Sequence, residues 1–286
     1  MRAPPWPPEP PVQMPPARTL AVPDRGELFL RDSGGDGAPV LLLHGWMVSA
    51  DLNWYGAYGD LTRAGYRVLA LDHRGHGRGL RPLAPFRLAD CAADAASALR
   101  TLDLAPATVV GYSMGGAIAQ LVAHEHPDVV SGLVLSGTAQ HWKDRETRRV
   151  WKAMGVLGLS LSLAPRLTWR AGFRRAGFRE SRETVWMQSE LMRHDAKDMA
   201  EAGRELGRFD SRPWLGSIQA PTAVVLTTHD EAVAPSKQRE LAAALGAPVF
   251  EAPIGHLALV AEPGRYNPAL LRALEAVGAR EAAKVA

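Results

Sequence analysis

The sequence predicts an α/β fold with a mostly parallel central sheet and helices on both faces. Short apolar runs typical of strands alternate along the chain with segments that carry helical spacing. Some runs, such as residues 40–43 (Val-Leu-Leu-Leu), are apolar without interruption, as expected of strands covered on both faces. A chain of 286 residues with 47% hydrophobic residues can build one large domain of this kind.

The predicted elements follow in a regular order. Strands are expected at residues 27–31, 40–43, 67–71, 107–111, 133–135, 223–226 and 249–251. Helices are expected around residues 52–64, 88–103, 117–122 and 264–280. Turn sequences separate them, as in residues 33–37 (Ser-Gly-Gly-Asp-Gly) and 72–77 (Asp-His-Arg-Gly-His-Gly). We assign residues 18–137 and 213–286 to this α/β core.

Residues 138–212 interrupt the alternation and are called the insertion below. No convincing strand pattern occurs there, and helical spacing dominates. The segment is rich in tryptophan and holds 16 lysines and arginines against 10 acidic residues. We predict a helical insertion between two strands of the sheet.

The N-terminal residues 1–17 are dense in proline, which is incompatible with a helix or a central strand. We expect a disordered tail here. Recognisable fold pattern begins near Arg18, so Met14 is a candidate alternative start of the protein.

Composition narrows the class of protein. The formal net charge of +3 gives no reason to expect a nucleic-acid partner. The one cysteine, Cys91, cannot form an internal disulfide and is expected to be a buried thiol. The N-terminus lacks the layout of a signal peptide, and no apolar run is long enough to span a membrane. We expect a cytoplasmic protein, and nothing in the sequence indicates its oligomeric state.

The central motif is Gly111-Tyr112-Ser113-Met114-Gly115, which follows an apolar strand and precedes a helix. This strand–turn–helix context is the one that a nucleophile elbow requires. A sharp turn would expose the Ser113 hydroxyl at the carboxyl end of the sheet, where α/β folds bind ligands. Ser113 is therefore the candidate nucleophile.

A serine nucleophile needs a general base and a group that orients the base. In this fold class the order along the chain is serine, acid, histidine. His256 lies past the last predicted strand and is the candidate base. Asp230 lies at the end of the preceding strand and is the candidate acid, with Glu231 as its rival.

The oxyanion of a tetrahedral intermediate needs two backbone N–H donors. We expect one from Met114, directly after the nucleophile, and one from Trp46, in the loop after strand 40–43. The side chains of Trp46, Met114 and Trp142 are candidates for the wall of an apolar substrate pocket.

Other chemistries find less support. The turn Asp72-His73-Arg74-Gly75-His76 lacks a second ligand group at a spacing usable for zinc. No Gly-x-Gly-x-x-Gly follows the first strand, so a dinucleotide site is not expected. We therefore predict no metal and no organic cofactor.

From about Arg18 to the C-terminus the chain resembles the α/β-hydrolase superfamily. The matching pieces are His44-Gly45-Trp46, Asp72-His73-Arg74-Gly75-His76-Gly77, Gly111-Tyr112-Ser113-Met114-Gly115-Gly116, Asp230 and Gly255-His256. The resemblance implies that the insertion is a lid over the active site. One departure is Arg78-Gly79, where many relatives carry a serine nearby. Ser113 argues against the epoxide-hydrolase and haloalkane-dehalogenase branches, which use an aspartate there.

The resemblance is to the esterase, cofactor-free perhydrolase and carbon–carbon-bond hydrolase group. The predicted function is hydrolysis of a carboxylic ester or related acyl bond of a small, apolar substrate. A thioesterase or a carbon–carbon-bond hydrolase on the same triad remains an alternative. So does a non-enzymatic ligand-binding protein on a hydrolase scaffold.

Overall fold

The computed structural model describes residues 8–144, 151–175, 177–257 and 262–279. One eight-stranded sheet has the strand order β1-β2-β4-β3-β5-β6-β7-β8. The strands are β1 (Ala17–Val22), β2 (Gly26–Asp32), β3 (Ala38–Leu43), β4 (Tyr66–Leu71), β5 (Ala107–Tyr112), β6 (Val130–Ser136), β7 (Thr222–Thr227) and β8 (Val249–Ala252). The strands from β3 to β8 run parallel, whereas β1 and β2 pair in antiparallel fashion at one edge.

Helices lie along the chain between these strands. They are α1 (Ala50–Arg63), α2 (Leu88–Thr101), α3 (Met114–Glu125), α4 (Met154–Leu163), α5 (Pro165–Arg175), α6 (Arg182–Leu191), α7 (Ala196–Arg208), α8 (Pro235–Leu245) and α9 (Pro263–Ala276). The predicted fold class, a mostly parallel sheet with helices, is confirmed. No helix within the described ranges combines the length and apolar character needed to cross a bilayer.

Strand β3 shows why several strands read as unbroken apolar runs. Leu41 and Leu43 belong to one core cluster together with buried residues of α2 and α3, among them Cys91. Val40 and Leu42 belong to a second cluster with residues of α1 and α9. Because alternate side chains point to opposite faces, a strand covered on both faces is apolar at every position.

Two elements were not predicted from the sequence. Strand β1 lies at the sheet edge, only Leu20 and Val22 of its six residues are buried, and its apolar run is only three residues long. Its pairing with β2 brings Met14 and Pro15 into the folded part of the chain: Met14 packs against the core, and the Pro15 carbonyl accepts a 3.0 Å hydrogen bond from Arg31. Helix α8 begins with Pro235, the residue type that favours the first position of a helix.

The described part of the insertion contributes four helices, α4 to α7, between β6 and β7, and no strand. Helix α7 begins after Asp195, whose carboxylate caps it by accepting the Asp198 N–H at 2.9 Å. A Cβ atom at Gly203 in α7 would clash with Met154 of α4 and the ring of Trp46. The glycine thus allows α7 to pack closely against both.

Several polar contacts fix the insertion to the loops that follow β3 and β4. The Trp46 indole N–H donates to the Met199 carbonyl at 2.9 Å. The guanidinium of Arg78 donates two hydrogen bonds of 2.9 Å to the buried carboxylate of Glu190. Arg78, noted above as a departure from relatives, therefore connects the loop after β4 to helix α6.

Candidate active site

The turn at Ser113 has the strained geometry expected of a nucleophile elbow. Ser113 lies between β5 and α3 with φ 54° and ψ −116°, a conformation that residues with a Cβ atom rarely adopt. A Cβ at Gly111 would clash with the backbone of Gly115, and one at Gly115 would clash with the backbone of Leu43. The two glycines thus let strand β5, helix α3 and strand β3 meet closely beneath the serine.

His256 lies in the loop after β8 and contacts Ser113. Its Nε2 atom is 3.0 Å from the Ser113 Oγ, and its Nδ1 atom is 2.7 Å from Oδ2 of Asp230. The Asp230 side chain lies after β7. The structure therefore brings the three predicted residues together at the carboxyl ends of the parallel strands β5, β7 and β8.

Asp230 is held by further hydrogen bonds to its carboxylate. The Thr227 hydroxyl donates to Oδ2 at 2.6 Å, and the backbone N–H groups of Ala232 and Val233 donate to Oδ1 at 2.9 and 2.7 Å. Burial by itself raises the pKa of Asp230, but the hydrogen bonds from His256, Thr227 and the Val233 backbone outweigh burial and lower the pKa below its ordinary value. Asp230 is thus an ionised acceptor for the imidazole.

The rival acid, Glu231, has a different position. Its side chain is exposed and lies on the wall of the cavity described below. Within the residues that the structure describes, it makes no hydrogen bond to His256, whose Nδ1 is engaged by Asp230. The geometry favours Asp230 over Glu231 as the partner of the imidazole.

The loop after β3 lies beside the serine. The Gly45 N–H is bound to the Asn53 side-chain oxygen at 3.0 Å. The next N–H group, that of Trp46, and the N–H of Met114 have no protein acceptor among the described residues. Both groups are free to donate a hydrogen bond, so they remain the predicted oxyanion donors. Asn53 was not predicted, because its link to Gly45 has no local sequence pattern.

His44 also holds the loop after β3 in place through hydrogen bonds of its ring. It is fully buried, and burial lowers its pKa to about 4 despite its hydrogen bond to the Gly45 carbonyl. Its Nε2 accepts the His73 backbone N–H at 3.0 Å, so Nδ1 carries the proton and donates to the Gly45 oxygen at 2.8 Å. The neutral ring thus connects the loop after β3 with the turn after β4, which agrees with the structural role expected of His44.

A cavity of about 1020 Å³ opens onto Ser113 and His256. Its walls come from the loop after β3, the insertion and the start of α8. They are mostly apolar and aromatic, and include Trp46, Trp142, Trp151, Trp169, Phe173, Phe178, Met187, Leu191 and Leu206. A polar section contains Lys237, which forms an ion pair with Asp144.

The predicted pocket residues are not all on this wall. Trp46 and Trp142 line the cavity, but the Met114 side chain does not. Met114 is fully buried in the core cluster that includes Ala117 and Ile118. The expectation for this side chain is corrected, because the first residue of α3 points into the space between helix and sheet and presents only its backbone to the site.

The turn that follows β4 is held by hydrogen bonds. Asp72 accepts the backbone N–H groups of Ala50 and Arg78, both at 2.7 Å, and Arg74 forms a bidentate ion pair with Asp94. No group of three or more potential ligand side chains in the described ranges is arranged to hold a metal ion. The contacts of this turn indicate a structural role.

Comparison with known proteins identifies the family. A family model described as alpha/beta hydrolase fold matches residues 38–263. A non-heme chloroperoxidase of Streptomyces lividans is 40% identical over 119 residues, which cover 41% of this chain and 43% of that protein. A non-heme haloperoxidase of Rhodococcus erythropolis is 38% identical over 115 residues, 40% of this chain and 41% of that protein. The chain thus matches less than half the length of these relatives.

Solved structures match over nearly the whole chain. The enol-lactonase of Burkholderia xenovorans LB400 superposes with a TM-score of 0.75 and 26% sequence identity, covering 90% of this chain and all of that one. The match to the family model extends over well over half of the residues, from β3 to the start of α9. The chain therefore belongs to the alpha/beta hydrolase fold family.

Proposed function

We propose that this protein is a serine hydrolase that cleaves carboxylic esters through an acyl-enzyme on Ser113. The observation that carries the proposal is the unbroken line of hydrogen bonds from Asp230 through His256 to the Ser113 hydroxyl, at the wall of an apolar cavity. An alcohol, an imidazole and a carboxylate in this order form the arrangement that activates a serine for acyl transfer.

In the first step, Oγ of Ser113 attacks the carbonyl carbon of the ester while Nε2 of His256 accepts the hydroxyl proton. The same nitrogen then delivers this proton to the leaving alcohol. The ionised Asp230 keeps the proton of the imidazole on Nδ1 and stabilises the imidazolium that forms. Water, deprotonated by His256, subsequently releases the acid and restores the serine.

The oxyanion of each tetrahedral intermediate would accept hydrogen bonds from the N–H groups of Trp46 and Met114. Each donor of this type contributes about 3 kcal/mol to stabilisation of the transition state. Met114 is also the first residue of α3, so the positive end of the helix dipole lies at the same point. Both features act on charge that develops only during the reaction.

The cavity wall supports an apolar substrate of some size. A volume of about 1020 Å³ exceeds what a small acetate ester fills, and aromatic side chains dominate the wall contributed by the insertion. The insertion would then act as a lid that supplies most of the contacts to the substrate. The enol-lactonase name of the structural relative is consistent with ester chemistry, since a lactone is a cyclic ester.

A second candidate is perhydrolysis, in which hydrogen peroxide instead of water attacks the acyl-enzyme. The products are a peracid and the free Ser113 hydroxyl. The peroxidase names of two relatives, 38% and 40% identical, favour this alternative. Both reactions share the same first step and the same triad, so they differ only in the second nucleophile.

Covalent labelling tests the proposal. The wild-type protein should react with a fluorophosphonate probe and hydrolyse p-nitrophenyl butyrate. Ser113→Ala should not be labelled, and its kcat should be lower by a factor of about 10⁶. Ser236→Ala, which changes another serine on the cavity wall, is the matched control and should keep both properties. Labelling of Ser113→Ala at the wild-type level would refute the proposal. Adding hydrogen peroxide and measuring peracid tests the second candidate.

A further inference from the structure

Helix α4 exposes an apolar face that covers nothing in the described structure. The exposed large hydrophobic side chains of the insertion include Val156 (72% exposed), Leu159 (60%), Leu163 (77%) and, at the start of α5, Leu167 (69%). Isolated exposed leucines are common on protein surfaces, but four such residues within twelve positions form a patch. A patch of this kind indicates an interaction surface.

The spacing of these residues places them on the outside of the insertion. Val156, Leu159 and Leu163 recur at intervals of three and four, so they form one stripe along α4. Met154 and Leu161 lie on the opposite side of the helix and are buried. Helix α4 thus has apolar residues on both sides, of which one side packs against α7 and the other faces outward.

A cluster of positive charge adjoins this stripe. Six exposed arginines follow in α5, in the turn after it and at the first position of α6: Arg166, Arg170, Arg174, Arg175, Arg179 and Arg182. None of them forms an ion pair with a carboxylate of the described residues, whereas most of the other arginines that the structure describes do. The only acidic residue between Met154 and Arg182 is Glu180. The surface therefore combines leucines with uncompensated cationic groups.

We propose that this surface docks on the face of an anionic phospholipid bilayer, with the stripe of α4 in the interface and the arginines on the headgroups. Leucines next to arginines on short helices are the composition of segments that lie in a membrane interface without crossing it. Each arginine close to an anionic membrane surface adds a favourable electrostatic contribution to binding. The chemistry of the surface fits such a partner in both its apolar and its charged component.

A second copy of this chain fits the same surface less well. A symmetric dimer buries the same patch of both copies against each other, which would bring the two arginine clusters together. Like charges placed opposite one another at an interface are costly. Charge complementarity thus selects the anionic bilayer as the occupant.

Docking would bring the candidate site close to the lipid. Helix α5 carries Arg170 and Arg174 on its outer side and Trp169 and Phe173 on the cavity wall. One short helix therefore connects the docking surface with the apolar cavity. The docking itself is independent of the chemistry at Ser113, so a binding assay tests it without reference to activity.

The test is sedimentation of the full chain with vesicles of phosphatidylcholine alone or with 30% phosphatidylserine. The wild type should sediment with the anionic vesicles and remain in solution with the neutral ones, and 0.5 M NaCl should release it. Arg174→Gln should lower the partition coefficient about fivefold, and Leu163→Ser with Arg174→Gln should lower it at least tenfold. Both substitutions are at exposed positions, so thermal unfolding should be unchanged.

The matched control is Leu83→Ser with Arg272→Gln, which removes an exposed leucine and an exposed arginine outside the insertion. This variant should bind as the wild type does. Equal sedimentation with neutral and anionic vesicles, or equal loss of binding in the control, would overturn the proposal. So would a concentration-dependent dimer in analytical ultracentrifugation that Leu163→Ser abolishes, because the surface would then join two copies of the chain.

Discussion

The hydroxyl of Tyr112 donates a 2.6 Å hydrogen bond to the carbonyl oxygen of His256. Tyr112 is the residue directly before Ser113, and its ring lies 5.2 Å from the imidazole. The last residue of β5 therefore fixes the backbone of the loop that carries the candidate base. This contact explains how a loop at the far edge of the sheet holds its histidine within reach of the serine.

Tyr112→Phe should test this positioning role. The change removes the donor and leaves the His256 carbonyl without its partner, which costs about 1 to 3 kcal/mol at this buried position. Because a small displacement of the base slows proton transfer, kcat for p-nitrophenyl butyrate should fall about ten- to hundredfold with little change in KM. Tyr266→Phe removes a hydroxyl from the same aromatic cluster and should leave kcat unchanged. Equal kcat in the two variants would argue against a positioning role.

The strain at Ser113 predicts an unusual order of stability. Its φ of 54° disfavours any residue with a Cβ atom, and such strain costs about 1 to 3 kcal/mol. In urea unfolding, the free energy of unfolding of Ser113→Gly should therefore exceed that of Ser113→Ala by about 1 kcal/mol. This figure includes the entropy of glycine in the unfolded chain. At Ser136, in the extended backbone of β6, glycine should instead be less stable than alanine. If the glycine variant were the more stable of the two at both Ser113 and Ser136, or the less stable at both, backbone strain at Ser113 would be contradicted.

The cavity wall predicts a dependence on acyl-chain length. Phe173→Ala removes an aromatic ring from the part of the wall supplied by α5. Loss of this apolar contact, worth about 1.5 to 3 kcal/mol, should lower kcat/KM for p-nitrophenyl octanoate by tenfold or more and leave the acetate ester nearly unaffected. Phe250→Ala, on β8 and away from the cavity, should affect neither ester. An equal loss for both esters would place Phe173 outside the acyl site.

The candidate site could be predicted because its residues follow local patterns. Ser113 directly follows β5, whereas Asp230 and His256 lie in the short loops that follow β7 and β8, and the carboxyl ends of parallel strands meet at one edge of the sheet. Contacts between distant residues without such a pattern could not be predicted. The bonds from Tyr112 to the His256 carbonyl and from Asn53 to Gly45 belong to this second kind. Both became visible only when the fold placed the partners together.

The role of Arg78 illustrates the same limit. In the sequence it is one charged residue in a turn, and its partner Glu190 is 112 positions away on α6. The apolar pattern of α6 identifies a helix, but it does not indicate that one of its glutamates is buried. The direction of the Met114 side chain could not be predicted either. Its backbone N–H faces the site, whereas its side chain is buried in the core.

The ion pair of Arg78 and Glu190 predicts a large cost for breaking it. Glu190→Gln removes the charge from a buried carboxylate that accepts two hydrogen bonds of 2.9 Å from Arg78. Among the described residues, Asp51, at 3.3 Å, is then the one carboxylate left opposite Arg78. Urea unfolding should show a loss of about 2 to 4 kcal/mol. The pair of the exposed Arg87 and the partly buried Glu205 also joins core and insertion, but its ends are open to water on the Arg87 side, so Glu205→Gln should cost less than about 1 kcal/mol. Similar losses of stability for the two variants would show that the burial of Glu190 does not raise the cost of breaking its ion pair.

His194 on the insertion predicts a pH dependence of stability. The ring lies 5.6 Å from His76, and its Nδ1 accepts the Gly77 N–H at 3.0 Å. Burial, with smaller effects of His44 and Arg81, lowers the pKa of His194 from 6.5 to about 3. Below pH 6.5 the unfolded chain therefore binds a proton at this position that the folded chain does not. The contribution of His194 to folded-state stability should therefore fall as the pH decreases from 6.5 towards 3, by about 1.4 kcal/mol for each unit.

His194→Phe removes this proton-binding site and keeps a ring of similar shape. The variant loses the hydrogen bond to Gly77 at every pH, which shifts its stability by a constant amount. Other buried groups of the cluster, such as Asp72 and His44, titrate in both proteins and to first order cancel in the difference. Urea unfolding at pH 7.5, 5.5 and 4.5 should therefore show the difference moving in favour of the variant by about 2 to 3 kcal/mol between pH 7.5 and pH 4.5. A difference that stays constant over this range would mean that His194 is protonated as readily in the folded as in the unfolded chain.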